Sequence, residues 1–157
     1  MNAEDEIDAI LRAIENSMRR DILRMLVEGR RYALQMAREL RTSQQAVMKH
    51  LDMLESGNLV RIAGEERSSR GAPRKMYEIS KSFSLFVDFA PGIFDIKEYS
   101  LDDVDTQDIL EEFSGMDYGE ILRKIEDEIK KVELRRIKLL KLKEEIISEM
   151  LTLNENR

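Results

Sequence analysis

Hydrophobic residues in the first 57 positions recur every three or four residues, which is the spacing of one helical face. Residues that cap or break helices separate four such stretches. The pattern predicts helices at about residues 4–15, from an Asn16 or Ser17 cap to Gly29, at about residues 33–40, and from a Ser43 cap to Ser56. The inward positions predicted for the last three helices are Ile22, Leu23, Leu26 and Val27, then Leu34, Ala37 and Leu40, then Val47, Leu51 and Leu54.

After the fourth predicted helix the hydrophobic period changes to two, which indicates β-strands. Residues 59–62 and 75–79 form two strand-like runs around a polar, basic tip at residues 64–74. Alternation at residues 83–89, then a Pro-Gly turn and residues 93–99, predicts a second hairpin. The predicted fold class is therefore mostly α, an α+β winged helix extended by a second hairpin and a long terminal helix.

The C-terminal part of the chain carries a heptad pattern, in which apolar residues alternate at spacings of four and three. The apolar positions of this seam include Leu122, Ile125, Ile129, Val132, Leu139, Ile146 and Met150. A helix over residues 118–153 spans roughly 50 Å, so it cannot bury its seam against so small a domain. We therefore predict a coiled coil that joins two copies of the chain into a homodimer.

Two features leave the details of this pairing open. Arg136 and Lys143 fall on the seam, where they weaken pairing, set its register, or mark a local drift of the seam. A second apolar line widens the hydrophobic face. It consists of Ile121, Leu134, Ile137, Leu140, Ile147 and Leu151. The wide face is explained if the long helix also packs on the first helix or the second hairpin, or if more than two helices meet.

The third and fourth helices, a short turn and the following hairpin have the order of a helix-turn-helix with a wing. Outward positions on the fourth helix are predicted to enter a major groove, where Gln can pair with adenine and Lys can donate to guanine or phosphate. Hydroxyls and backbone N–H groups just before that helix commonly hold phosphates. The predicted DNA-binding residues here are Thr42, Ser43, Gln44, Gln45, Met48 and Lys49. The alternative is a polar helix face without a partner.

The tip of the first hairpin concentrates positive charge in a segment that Gly71 and Pro73 keep from regular pairing. Arginine inserted into a narrow minor groove reads DNA shape. We predict minor-groove or backbone contacts from Arg67, Arg70, Arg74 and Lys75, against the alternative of a solvated basic turn. His50, beside Leu51, is predicted to be a half-buried packing residue.

These motifs resemble a known family. The run Ser43-Gln44-Gln45-Ala46-Val47-Met48-Lys49-His50-Leu51 and its continuation to Gly57-Asn58-Leu59-Val60 look like ArsR-type winged-helix regulators, and the Arg-Gly-x-Pro-Arg-Lys-x-Tyr wing looks like archaeal members. The resemblance implies a homodimer that binds an imperfect palindrome and often represses a promoter. Asn58 stands where the family usually has Gly. The cysteines of the metal- and redox-sensing members are absent here, which excludes thiolate sensing.

Charge and composition narrow the function further. The chain has a formal net charge of −6, yet residues 17–80 alone are net +5, a local basic surface suited to double-stranded DNA. There is no cysteine and a single histidine, and no Gly-rich phosphate loop, which makes an enzyme a poor hypothesis and leaves no expected cofactor or metal. The aspartates at 102, 103, 105 and 108 are more typical of a solvated linker than of an ion site. No apolar run is long enough for a membrane span, so a cytoplasmic location is expected.

The sequence thus predicts a winged helix-turn-helix domain at residues 4–80, a hairpin extension at 81–100, an acidic linker at 101–117 and a dimerisation helix at 118–153. The predicted function is a transcriptional regulator, more often a repressor, acting on a palindromic operator. The alternative is a winged-helix protein-interaction module of the transcription machinery, with the coiled coil as its docking element. No residue indicates a small-molecule effector.

Overall fold

The computed structural model describes residues 3–67 and 71–155. Its elements, in chain order, are α1 (Ala3–Ile14), α2 (Ser17–Val27), β1 (Arg31–Tyr32), α3 (Ala33–Glu39), α4 (Gln44–Ser56), β2 (Val60–Glu66), β3 (Arg74–Ile79), β4 (Phe83–Ala90), β5 (Ile93–Ser100), α5 (Gln107–Glu111) and α6 (Tyr118–Glu155). This order confirms the predicted fold class: a winged helix, a second hairpin and a long C-terminal helix. One short strand, β1, was not predicted.

The chain divides into two compact units, and the boundary passes through the second hairpin. The first unit comprises Met1–Ser84 and Glu98–Asp102, and the second comprises Leu85–Lys97 and Asp103–Arg157. The predicted hairpin extension is therefore shared, its tip belonging to one unit and its base to the other.

Apolar faces of α1 to α4 form the core of the first unit. The fully buried large side chains are Ile10, Ile22, Met36, Val47, Leu51, Leu54 and Val60. The inward face of α4 is as predicted, but Val27 is 70% exposed. Leu26 already points inward, and the next residue on a helix is rotated by about 100°. In α3 the buried residues are Ala33, Met36 and Ala37, whereas Leu34 and Leu40 are half-buried.

Side-chain caps and left-handed turns set the helix ends of the first unit. The Asn16 side chain accepts a hydrogen bond from the backbone N–H of Arg19 at 3.2 Å, and Ser43 Oγ accepts one from Ala46 at 3.1 Å. Both are N-caps, as predicted. Asn58 has φ 56° and Arg41 has φ 54°. Asn58 therefore closes α4 in the left-handed conformation that Gly usually supplies.

A buried guanidinium joins α1 to α2. Arg19 is 6% exposed, its Nε donates to the carbonyl of Ala13 at 2.6 Å, and its Nη2 donates to the carbonyl of Arg12 at 2.5 Å. The last carbonyls of a helix lack partners within it, so these bonds satisfy the C-terminal end of α1. Glu15, 3.2 Å from the same Nη2, is largely exposed.

The wing is part of a three-stranded antiparallel sheet with the order β1-β3-β2. β1 pairs with β3 through Arg31 opposite Tyr77 and Tyr32 opposite Met76. β2 pairs with β3 with an irregularity between Ile62 and Gly64. Because β1 runs directly into α3, this pairing fixes the wing beside the helix-turn-helix.

In the second unit the hairpin packs against α6 and meets the charged positions of the predicted seam. Arg136 forms an ion pair with Asp88, and its guanidinium carbon lies 4.4 Å from the Phe86 ring centre. Lys143 lies close enough to Asp95 to lower the pKa of that carboxyl, after the larger effect of Lys97. Of the three interpretations of Arg136 and Lys143, the structure favours a local drift of the seam, because both side chains face the hairpin.

The second apolar line of α6 shares this contact. Leu140 lines a groove with Val87, Phe89 and Ile93 of the hairpin. At the hairpin turn, Gly92 has φ 74°, and a Cβ added there would lie 2.5 Å from Ile147 Cγ2. Part of the wide apolar face of α6 is thus explained by packing on the second hairpin.

Candidate DNA-binding surface

The polar face of α4 is presented to solvent because its opposite face is fixed in the core. Val47, Leu51 and Leu54 are fully buried. The predicted contact residues Gln44, Gln45, Met48 and Lys49 are all exposed on the other side. The helix therefore offers amide, thioether and ammonium groups together on one surface.

The residues of the turn before α4 are partly engaged within the protein. Ser43 Oγ caps α4, and the backbone N–H of Thr42 donates to the carbonyl of Ala37 at 3.0 Å. Ser43 is exposed and Thr42 is half-buried. The Thr42 N–H and the Ser43 hydroxyl oxygen are therefore used inside the fold, so the predicted phosphate contacts would come from the Thr42 hydroxyl and from the O–H proton of Ser43.

One cavity brings the wing and α4 together. It has a volume of about 380 Å³ and is open to solvent. Its lining residues are Tyr32, Ala33, Leu34, Gln44, Met48, Ala72, Pro73, Arg74, Lys75 and Tyr77. Two predicted α4 residues, Gln44 and Met48, thus share a groove with two predicted wing residues, Arg74 and Lys75. We call this cavity the wing groove.

Tyr32 positions one of the wing cations, a role that the sequence analysis missed. The Arg74 guanidinium carbon lies 4.9 Å from the centre of the Tyr32 ring, within the range of a cation–π contact. Tyr32 is itself held in β1 opposite Met76 of the wing. The only available signal in the sequence was an aromatic residue directly before α3.

The other predicted contact residues lie outside the wing groove. Gln45 and Lys49 are exposed on α4, and Arg67 is exposed just after β2. Arg70 lies outside the described residues. Within the described part of the chain, the predicted contact set therefore consists of the wing groove, the flanking surface of α4 with the turn before it, and Arg67 of the wing.

The wing carries acidic as well as basic side chains. Glu65 is paired in register with Lys75, and Glu66 with Arg74. Opposite charges at paired strand positions attract across the ladder. The acids sit on β2 and line a separate cavity with Arg30 and Met76, and neither is among the lining residues of the wing groove.

A carboxylate near the wing holds two further arginines that the sequence analysis did not single out. Glu78 Oε2 accepts from Arg30 Nε at 2.6 Å, and Glu78 Oε1 accepts from Arg61 Nε at 2.8 Å. Hydrogen bonds from Arg30 and Arg61 hold the pKa of Glu78 below its usual range. Both guanidinium groups are exposed, so this cluster adds net positive charge to the sheet.

His50 is half-buried, as predicted. Burial lowers its pKa, and the nearby charge of Arg19 lowers it further. Both effects favour the neutral imidazole. The packing interpretation of His50 is consistent with this environment.

The aspartates after the second hairpin serve as backbone acceptors. Asp102 accepts from the N–H of Ser82 at 3.3 Å, and Asp105 accepts from the N–H of Gln107 at 3.0 Å. Among the described residues, no group of three histidine, aspartate or glutamate side chains is arranged to hold a metal ion. Nor does any described helix combine the length and apolar character that crossing a bilayer requires.

Comparison with known proteins supports the class that this geometry defines, a winged helix-turn-helix. Residues 14–63 match the family model described as a helix-turn-helix domain. This match confirms the predicted helix-turn-helix and agrees with the resemblance to ArsR-type winged-helix regulators. No curated protein sequence matches the chain significantly.

Several solved structures are similar to about half of the chain. A homodimeric winged helix-turn-helix DNA-binding domain from Mycobacterium bovis, a possible ArsR-family regulator, is 26% identical over 49% of this chain and 66% of that one, just under two thirds, with a TM-score of 0.42. HlyU from Vibrio cholerae is 24% identical over 52% of this chain and 84% of that one, with a TM-score of 0.42. NolR from Sinorhizobium fredii is 26% identical over 51% and 79%, with a TM-score of 0.40.

Proposed function

We propose that the chain is a sequence-specific DNA-binding transcriptional repressor that acts as a homodimer on a palindromic operator. The observation that carries the proposal is the wing groove. Gln44 and Met48 of α4 line it together with Arg74 and Lys75 of the wing. A recognition helix and a basic wing must lie side by side to contact adjacent parts of one duplex.

The chemistry of the surface divides the work between reading and holding DNA. Gln44 and Gln45 can each pair with both edge atoms of adenine, and Lys49 can donate to guanine or to phosphate. Arg74 and Lys75 supply charge for the phosphate backbone or the minor groove. The exposed arginines around Glu78 add positive charge elsewhere on the same sheet.

The homodimer is proposed from α6. Six of its seven predicted seam residues are between 49% and 66% exposed, and only Ile125 is half-buried. An exposed apolar line of this length is unfavourable in water and marks an interaction surface. A second copy of α6 supplies the same line, and two-fold symmetry suits a palindromic operator with half-sites about 10–10.5 base pairs apart, or a multiple.

A gel-shift assay with genomic promoter fragments tests the proposal. We expect salt-dependent, saturable binding by the wild-type chain. The double variant Gln45→Ala, Lys49→Ala should lose specific binding, because both side chains are exposed and their removal leaves the α4 core intact. Lys130→Ala, an equivalent loss of one exposed cation on α6, is the matched control and should bind normally.

Unchanged binding by the Gln45→Ala, Lys49→Ala variant would show that α4 is not the recognition helix. Absence of binding to any fragment by the wild-type chain would instead favour the winged helix as a protein-interaction module.

A further inference from the structure

Among the apolar side chains of α6 that the hairpin leaves exposed, six form one stripe. Its residues are Val132, Leu139, Leu142, Ile146, Met150 and Leu153, between 49% and 69% exposed. Successive members are three, four or seven residues apart, so they follow one helical face. We call this set the exposed stripe. Leu142 replaces Lys143 of the predicted seam, because Lys143 lies on the side of α6 that faces Asp95 of the hairpin.

Charge is segregated along the length of the exposed stripe. Arg135 and Lys138 lie at its N-terminal end, and Glu145 and Glu149 lie at its C-terminal end; all four are exposed. Of these, Glu145 also has Lys141 Nζ at 4.0 Å within the same helix. Arg135 and Glu149 are each seven residues from Leu142 and so lie in line with it, whereas Lys138 and Glu145, four and three residues away, lie on one edge of the stripe.

We propose that two copies of α6 pair antiparallel, with the two-fold axis beside Leu142. The inference rests on the proposed homodimer and deepens it by stating how the helices pair. In this arrangement Arg135 lies opposite Glu149 of the partner subunit, and Lys138 lies opposite Glu145 of the partner subunit. The apolar residues match equally well: Leu139 meets the partner's Ile146, and Val132 meets the partner's Leu153.

A parallel pair lacks this complementarity. Its two-fold axis runs along the helices, so each edge of the stripe meets the opposite edge of the partner. In that arrangement residues in line with Leu142 face their own copies. Arg135 would face Arg135 of the partner subunit, and Glu149 would face the partner's Glu149, like-charge contacts that disfavour the parallel arrangement.

The length of the overlap is sufficient for a stable pair. With the axis beside Leu142, residues 129–155 of both helices overlap over about 40 Å. This stretch contains the whole exposed stripe, and five of its six members, all but Met150, meet another member of the stripe.

Thiol crosslinking tests the orientation directly, because the chain contains no cysteine of its own. A disulfide needs Cα atoms within about 7 Å. Under mild oxidation we expect Leu142→Cys to crosslink with itself. Val132→Cys should not, since antiparallel pairing puts its own copy about 30 Å away along the helix. An equal mixture of Val132→Cys and Leu153→Cys should crosslink.

Self-crosslinking of Val132→Cys, in a chain that light scattering shows to be dimeric, would overturn the antiparallel arrangement and leave the homodimer standing. A wild-type chain that is monomeric in light scattering would overturn the homodimer itself. The two failures are therefore distinguishable.

Charge exchange provides a second readout. Arg135→Glu alone and Glu149→Arg alone should each weaken dimerisation about tenfold, because each puts two like charges face to face twice in the dimer. The double variant should restore wild-type affinity. Lys130→Glu, on the opposite side of α6 from the stripe, is the control and should change little. Failure of the double variant to recover would contradict the proposed pairing.

Discussion

Replacing Arg19 with methionine probes the joint between α1 and α2, on which the helix-turn-helix is built. Methionine keeps much of the apolar stem but removes the guanidinium, which donates to the carbonyls of Ala13 at 2.6 Å and Arg12 at 2.5 Å. A hydrogen bond to a charged group contributes about 1.5–3 kcal/mol, and a buried acceptor left without a partner is penalised. Because Arg19 is almost fully buried, water cannot replace the donor.

We therefore expect Arg19→Met to lower the free energy of unfolding by about 3–5 kcal/mol. The neighbouring Arg20 is a matched control, since its Nη1 donates to the carbonyls of Ile14 at 2.7 Å and Glu15 at 2.8 Å but in an exposed position. Arg20→Ala should cost less than about 1 kcal/mol, because water can solvate those carbonyls.

Urea unfolding followed by circular dichroism at 222 nm measures both values. The pKa of His50 should also rise in Arg19→Met, because the charge of Arg19 is one cause of its depression. If Arg19→Met were within 1 kcal/mol of Arg20→Ala, the reasoning about the buried guanidinium would be refuted.

Three further predictions concern pH, the second hairpin and the wing. The folded-state pKa of His50 lies below its unfolded value, so the free energy of unfolding should fall as the pH drops below about 6.5. In urea titrations at pH 5 and pH 8, His50→Gln should lose less of this free energy at the lower pH than the wild type does. Gly92→Ala should lower the melting temperature in calorimetry by roughly 2–8 °C, since Gly92 has φ 74° and a Cβ would press on Ile147; an unchanged value would contradict the contact. Arg74→Ala should weaken DNA binding and reduce the slope of log affinity against log salt by about 1. Tyr32→Leu should weaken DNA binding less than Arg74→Ala does and leave the salt slope unchanged. Equal salt slopes for the wild type and Arg74→Ala would exclude a contact between Arg74 and a phosphate.

Local patterns were enough to predict most elements of the fold. Helical periodicity and the caps at Asn16 and Ser43 located the helices, because these signals are carried by residues close together in the chain. The strand β1 could not be found this way. Two residues carry no periodicity, and β1 exists because Arg31 and Tyr32 pair with residues of β3 more than forty positions away.

Long-range packing also explains where the sequence-based prediction was less accurate. Arginine is rarely buried, so nothing local marked Arg19 as a joint between helices. The heptad count included Arg136 and Lys143 because a count cannot show that a hairpin covers one side of the helix. The exposed face of α4 could be predicted from the sequence. Once Val47, Leu51 and Leu54 are placed in the core, the opposite side of the helix must face solvent.

Selection of DNA from a random library by the purified protein tests the central proposal most directly. The wild-type chain should enrich an inverted repeat, with half-sites about 10–10.5 base pairs apart or a multiple. Gln45→Ala, Lys49→Ala should retain weak, salt-sensitive binding through the wing and enrich no motif. Enrichment of the same repeat by this variant, or of no motif by the wild-type chain, would contradict sequence recognition by α4.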